Sequence, residues 1–64
     1  MNGHWVNNRY LADFEWCATV GQTINKQWLV STWNNGERSW VIRDVAYDTV
    51  DEAKAVAEAL VAMK

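Results

Sequence analysis

His4 and Cys17 are the chain's single histidine and single cysteine, so thiolate or nucleophile–base chemistry would have to use them. Nucleophilic catalysis needs a base within reach of the nucleophile and a third group to orient that base. Cys17 lies in an alternating apolar stretch, where a thiol is commonly a small core hydrophobe. His4 lies in a polar leading segment with no orienting partner near it in sequence. Two such residues fall short of a structural zinc site, which takes about four ligands. A disulfide is excluded, because it needs a second cysteine. Asp44, Asp48, Asp51 and Glu52 are the closest approach to a carboxylate cluster. Their spacing matches no calcium loop, and Glu52 has a helix-capping role instead. Gly3, Gly21 and Gly36 are isolated, which leaves no glycine-rich loop to cradle a phosphate. These residues predict no metal, no cofactor and no enzymatic activity.

Tryptophan is what the chain has in abundance. Trp5, Trp16, Trp28, Trp33 and Trp40 fall within 64 residues, and each can bury on the order of 150–250 Å². A domain this short buries only about 60% of its unfolded surface. Its core holds about three such side chains on that scale, leaving others free as surface binding anchors. The composition is 50% hydrophobic and 22% charged, with net charge −2 and pI about 5.1. That describes one small, mildly acidic domain over residues 1–64, and a cytoplasmic setting is expected. No apolar run approaches the roughly 20 residues of a membrane span. Met1-Asn2-Gly3-His4-Trp5 lacks the basic-then-apolar order of a secretory signal.

The elements that must position these residues read as follows. Residues 1–9, with Asn2, Gly3, Asn7 and Asn8, are turn-forming and are expected to be a partly disordered tail. Tyr10, Ala12, Phe14, Trp16, Ala18 and Val20 are apolar at every second position, which favours a strand with one buried face. Leu11, Phe14 and Ala18 also fit a helical spacing, but the aromatics suit a pleated surface better. Trp28–Trp33 and Trp40–Ile42 flank Asn34-Asn35-Gly36, a hairpin signature. A two-residue Asn35-Gly36 turn would set Val30 against Val41. A three-residue loop with Gly36 left-handed would set Trp28 against Ile42 and Val30 against Trp40. The second register gathers Trp28, Val30, Trp40 and Ile42 on one face, so the hydrophobic pattern selects it. Thr49-Val50-Asp51-Glu52 is a capping box, with the Thr49 hydroxyl accepting from the Glu52 amide and the Glu52 side chain answering at Thr49. Asp51 and Glu52 sit at the positive end of the helix dipole and Lys64 at the other. Ala53, Val56, Ala57 and Leu60, extended by Val61 or Met63, form the core stripe of the helix that follows.

The fold class expected is α+β: a three-stranded antiparallel sheet packed on one C-terminal helix, in two layers. Gly36-Glu37-Arg38-Ser39-Trp40-Val41, followed by Tyr47-Asp48-Thr49-Val50-Asp51-Glu52-Ala53, resembles the plant ethylene-response-factor DNA-binding domain. The likeness covers about the last 40 residues. That family, with the arm-binding domains of phage integrases, implies the same β-β-β-α fold. It also implies DNA contacts at Arg38, Trp40 and Arg43. Three extra residues separate Trp40 from Tyr47 here, and the family's sheet carries several arginines where this chain has Arg38 and Arg43. Phosphate neutralisation dominates nucleic-acid affinity, which a pI near 5.1 disfavours.

Protein binding is the function these features predict. One helix covers one face of such a sheet and leaves the other bare. Leu29, Trp33 and Val41, rimmed by Ser31, Ser39, Arg38 and Arg43, are expected there as an apolar patch. Trp beside Arg is common hot-spot chemistry. On the outward helix side, Ala55, Ala59 and Ala62 would let a second helix approach closely. The chain thus reads as a non-enzymatic inhibitor or adaptor, of the kind a phage or plasmid encodes, that docks on a protein partner. Burying the bare face against a second copy would enlarge a thin core, so a homodimer is expected.

Overall fold

The computed structural model describes residues 3–63. Strands β1 (Gly3–Val6), β2 (Arg9–Ala12), β3 (Glu15–Gln22), β4 (Trp28–Asn34) and β5 (Ser39–Tyr47) precede a single helix, α1 (Val50–Ala62). The strands form one antiparallel meander in the order β1-β2-β3-β4-β5. The general kind is α+β, but the sheet has five strands where three were expected. Two hairpins near the N-terminus account for the difference. Instead of a tail, the leading segment supplies β1, joined to β2 through Asn7-Asn8, with Asn7 at φ 57. The stretch read as one strand from Tyr10 to Val20 breaks at Asp13-Phe14. Both residues have positive φ, 53 and 65, as a type I′ turn requires.

A second irregularity explains why the alternation looked unbroken. The Asp13-Phe14 turn pairs Ala12 with Glu15, so odd positions of β3 start out on the helix side. A bulge at Cys17 then takes one residue out of step, since Tyr10 pairs with Ala18 while Leu11 pairs with Trp16. Even positions Ala18 and Val20 are returned to the helix side and are buried. Trp16, caught between turn and bulge, points the other way and is 42% exposed. The Cys17 thiol donates to the Glu15 carbonyl at 3.4 Å, within the bulge it forms.

The β4–β5 hairpin adopts neither register read from its sequence. Trp33 pairs with Trp40 and Asn34 with Ser39, which leaves a loop of residues 35–38. Asn34 Oδ1 accepts from the amides of Gly36 at 2.9 Å and Glu37 at 3.2 Å. The left-handed position falls on Arg38, at φ 54, and not on Gly36. This pairing differs from the three-residue register by an odd number of residues, which exchanges the faces of β5. Trp40 and Ile42 therefore point away from the core, while Val41 and Arg43 lie on the helix side. Arg43 Nη2 donates to the buried Thr32 hydroxyl at 3.4 Å.

The core lies between α1 and one face of the sheet. A row of directly paired residues, Trp5, Tyr10, Ala18, Thr32 and Val41, crosses all five strands on this side. Ala53, Ala57 and Val61 of α1 are buried against Ala18, Val20 and Val30, with Val56 and Leu60 packed at the margin. Small side chains on both layers let the helix sit close. Met63 takes no part, being 82% exposed. The Thr49 hydroxyl accepts from the Glu52 amide at 3.2 Å. The reciprocal bond runs from that hydroxyl to Glu52 Oε1 at 3.1 Å, not from the Thr49 amide. Lys64 lies outside the described residues. None of the tryptophans is fully buried: Trp5 and Trp28 flank the core, and the rest face outward or lie at its edge. Lys54 Nζ stands 5.1 Å from the Trp5 ring centre, roofing the β1–β2 end of the core.

Candidate functional site

No element among the described residues covers the sheet face opposite α1. Side chains there stand in rows set by the strand pairing. His4, Leu11 and Trp16 form one row, continued by the Trp33–Trp40 pair. The next row is Val6, Arg9, Thr19, Ser31 and Ile42, each paired directly with its neighbour. Gly21, Leu29 and Ala46 follow. Arg9 is the one charged residue in these rows, and its guanidinium lies 6.0 Å from the Trp16 ring centre. Trp33 and Trp40 meet edge to face at 5.4 Å. Val6, Trp16, Trp40 and Ile42 are 41%, 42%, 42% and 67% exposed, values more typical of polar surface residues. Five strands at a spacing of ~4.8 Å and three rows ~7 Å apart give a footprint of roughly 500 Å². Exposed apolar side chains gathered on one uncovered face of that extent ordinarily mark an interaction site.

The acidic residues lie mainly elsewhere. Asp48, Asp51, Glu52 and Glu58 are exposed on and around α1, away from the three paired rows of the open face. No group of His, Cys, Asp and Glu among the described residues is placed to hold a metal ion.

At one end of the open face the β2–β3 turn and the β4–β5 loop stand side by side. Between them is a cleft of about 330 Å³ lined by Phe14, Glu15, Trp16, Trp33 and Asn35. The Trp33 indole N–H donates to Asn35 Oδ1 at 2.7 Å, which pins the ring to the loop. Phe14 is 99% exposed. It also walls a second cleft, of about 250 Å³, with His4, Leu11 and Asp13. A bulky residue in the left-handed region costs roughly 1–2 kcal/mol. Phe14 bears that cost and returns no burial to the fold.

No family model, no curated protein and no solved structure matches this chain.

Of the residues singled out by sequence for binding, Leu29 and Trp33 lie on the open face. Val41 and Arg43 do not: the register places them on the helix side, where they line a separate cleft of about 430 Å³ beneath the β4–β5 loop. Arg38 is exposed in that loop. Arg38, Trp40 and Arg43, the contacts implied by the likeness to DNA-binding domains, consequently share no common face. Ala55, Ala59 and Ala62 are exposed on the outward side of α1, and the acidic Glu58 lies among them. Phe14, Trp16 and Ile42 were not among the binding residues read from the sequence, and Trp40 entered only through the likeness to DNA-binding domains. Phe14 and Trp16 were counted in a buried alternating series, and the odd-numbered shift of register turned Trp40 and Ile42 outward.

Proposed function

We propose that this chain is a non-enzymatic protein-interaction module, an inhibitor or adaptor, that docks through the open face of its sheet. The supporting observation is the uncovered band of Leu11, Trp16, Trp33, Trp40 and Ile42, interrupted by one charge and by the hydroxyls of Thr19 and Ser31. Large apolar side chains at the centre with few charges match the composition of interface cores. Nucleic acid would require cations in that band, and Arg9 alone cannot supply the phosphate contacts that drive such binding.

A second copy of the chain is the first partner this reading names. Two footprints of this size bury about 1,000 Å² together, the lower bound for a specific interface. Aligned packing of two such faces reproduces a sandwich core about 10 Å thick. Sedimentation equilibrium of the wild type against Ile42→Asp tests the reading. Ile42 belongs to no buried cluster, so the variant should fold normally and lose association. Association that survives both Ile42→Asp and Trp40→Asp would place the contact elsewhere.

A further inference from the structure

We infer that the cleft between the β2–β3 turn and the β4–β5 loop binds an organic cation, an alkylated ammonium group, against the rings of Phe14, Trp16 and Trp33. Three of its five lining residues are aromatic, one is a carboxylate and one is an amide. Aromatic faces attract cations through the ring quadrupole, and indole does so best. A quaternary or methylated ammonium suits such walls because its methyl groups want apolar contact while its charge wants π-faces. An anion would be disfavoured by the rings and by a chain of net charge −2.

Two features of the cleft have no explanation in folding. The first is Phe14 itself, at φ 65 and 99% exposed, in a turn type that prefers Asn or Gly. The second is Trp16, which the Cys17 bulge holds on the open face. Backbone strain of this kind concentrates at ligand sites. Trp33 is held in place by its bond to Asn35 at 2.7 Å and by its contact with Trp40. The pinned indole gives the cleft one fixed wall.

This inference goes beyond the docking reading, and its test is separable from it. Tryptophan fluorescence and indole N–H chemical shifts are followed while choline is titrated into the wild type and into Ile42→Asp, which disrupts docking without touching the cleft. Trp16 and Trp33 also belong to the docking band, so choline should saturate Ile42→Asp and the wild type at a concentration where it is monomeric. Its uncharged isostere, 3,3-dimethylbutan-1-ol, should bind about tenfold more weakly or worse. Phe14→Asn should remain folded and lose the choline response. A peptide bearing trimethyl-lysine that binds more tightly than choline, and more tightly than its unmodified form, identifies a modified protein tail as the source of the cation. Equal affinities identify a free small molecule. Equal binding of choline and its isostere, no saturable response in either protein, or an unchanged affinity in Phe14→Asn would overturn the assignment.

Discussion

Phe14 and Tyr10 show how differently two aromatic residues four positions apart can serve the same small fold. Phe14 sits in a left-handed turn position without burial. Phe14→Asn substitutes a residue that tolerates that conformation, so stability should rise by ~0.5–1 kcal/mol. In a domain of this size that is a rise in Tm of roughly 2–8 °C, readable by circular dichroism. An unchanged or lower Tm would mean that the Phe14 ring makes contacts that stabilise the fold. Tyr10 is buried beneath the helix side, with its ring 5.1 Å from that of Trp5. Burial pushes its phenol pKa up, and the electrostatic influence of Glu58, Cys17 and Asp13 pushes it further. The fold therefore favours the protonated phenol. That contribution is complete below the unfolded pKa of about 10 and is lost as pH rises through the higher folded value. Urea midpoints measured from pH 8 to 11 should fall at the alkaline end for the wild type. The fall should be shallower for Tyr10→Phe, whereas superimposable curves would count against the buried phenol as its cause.

At the scale of elements, the helix was legible in the sequence and the sheet only in part. Thr49-Val50-Asp51-Glu52 announced the start of α1 because capping is local chemistry, decided within four residues. Thr49→Ala should cost about 1 kcal/mol, seen as a lower urea midpoint with an unchanged m-value. An indifferent midpoint would show that tertiary packing alone holds the helix end. Strand boundaries were harder because the deciding turns used unusual residues. A type I′ turn is normally recognised by Asn-Gly or Asp-Gly, and here Phe14 occupies the glycine position. The turn and the Cys17 bulge each reverse the facing of alternate residues, so their effects cancel at Ala18 and Val20. Only Phe14 and Trp16, between the two reversals, reveal them. In the β4–β5 hairpin, Gly36 attracted the left-handed assignment, yet Asn34 caps the loop and the left-handed residue is Arg38. Arg38→Gly should accordingly stabilise the hairpin by several tenths of a kcal/mol, checked by the same denaturation assay. Leu29 and Trp33 survived as open-face residues because β4 keeps its facing in every register. Val41 and Arg43 did not, because theirs depends on the loop length.

For the whole molecule, one helix of 13 residues is matched to a sheet of five strands. The helix covers the central and C-terminal strands on one side, and the N-terminal hairpin widens the sheet instead of folding back over its other side. The chain thus extends its apolar reverse face rather than closing it, and Trp16, Trp33, Trp40 and Ile42 are left where a partner can bury them. Sedimentation equilibrium across micromolar to millimolar concentrations tests this most directly. The wild type should form a dimer, and Ile42→Asp should remain monomeric, with the Tm that the wild type shows at concentrations where it too is monomeric. A wild type that stays monomeric throughout that range, or an Ile42→Asp variant that still dimerises, would contradict it.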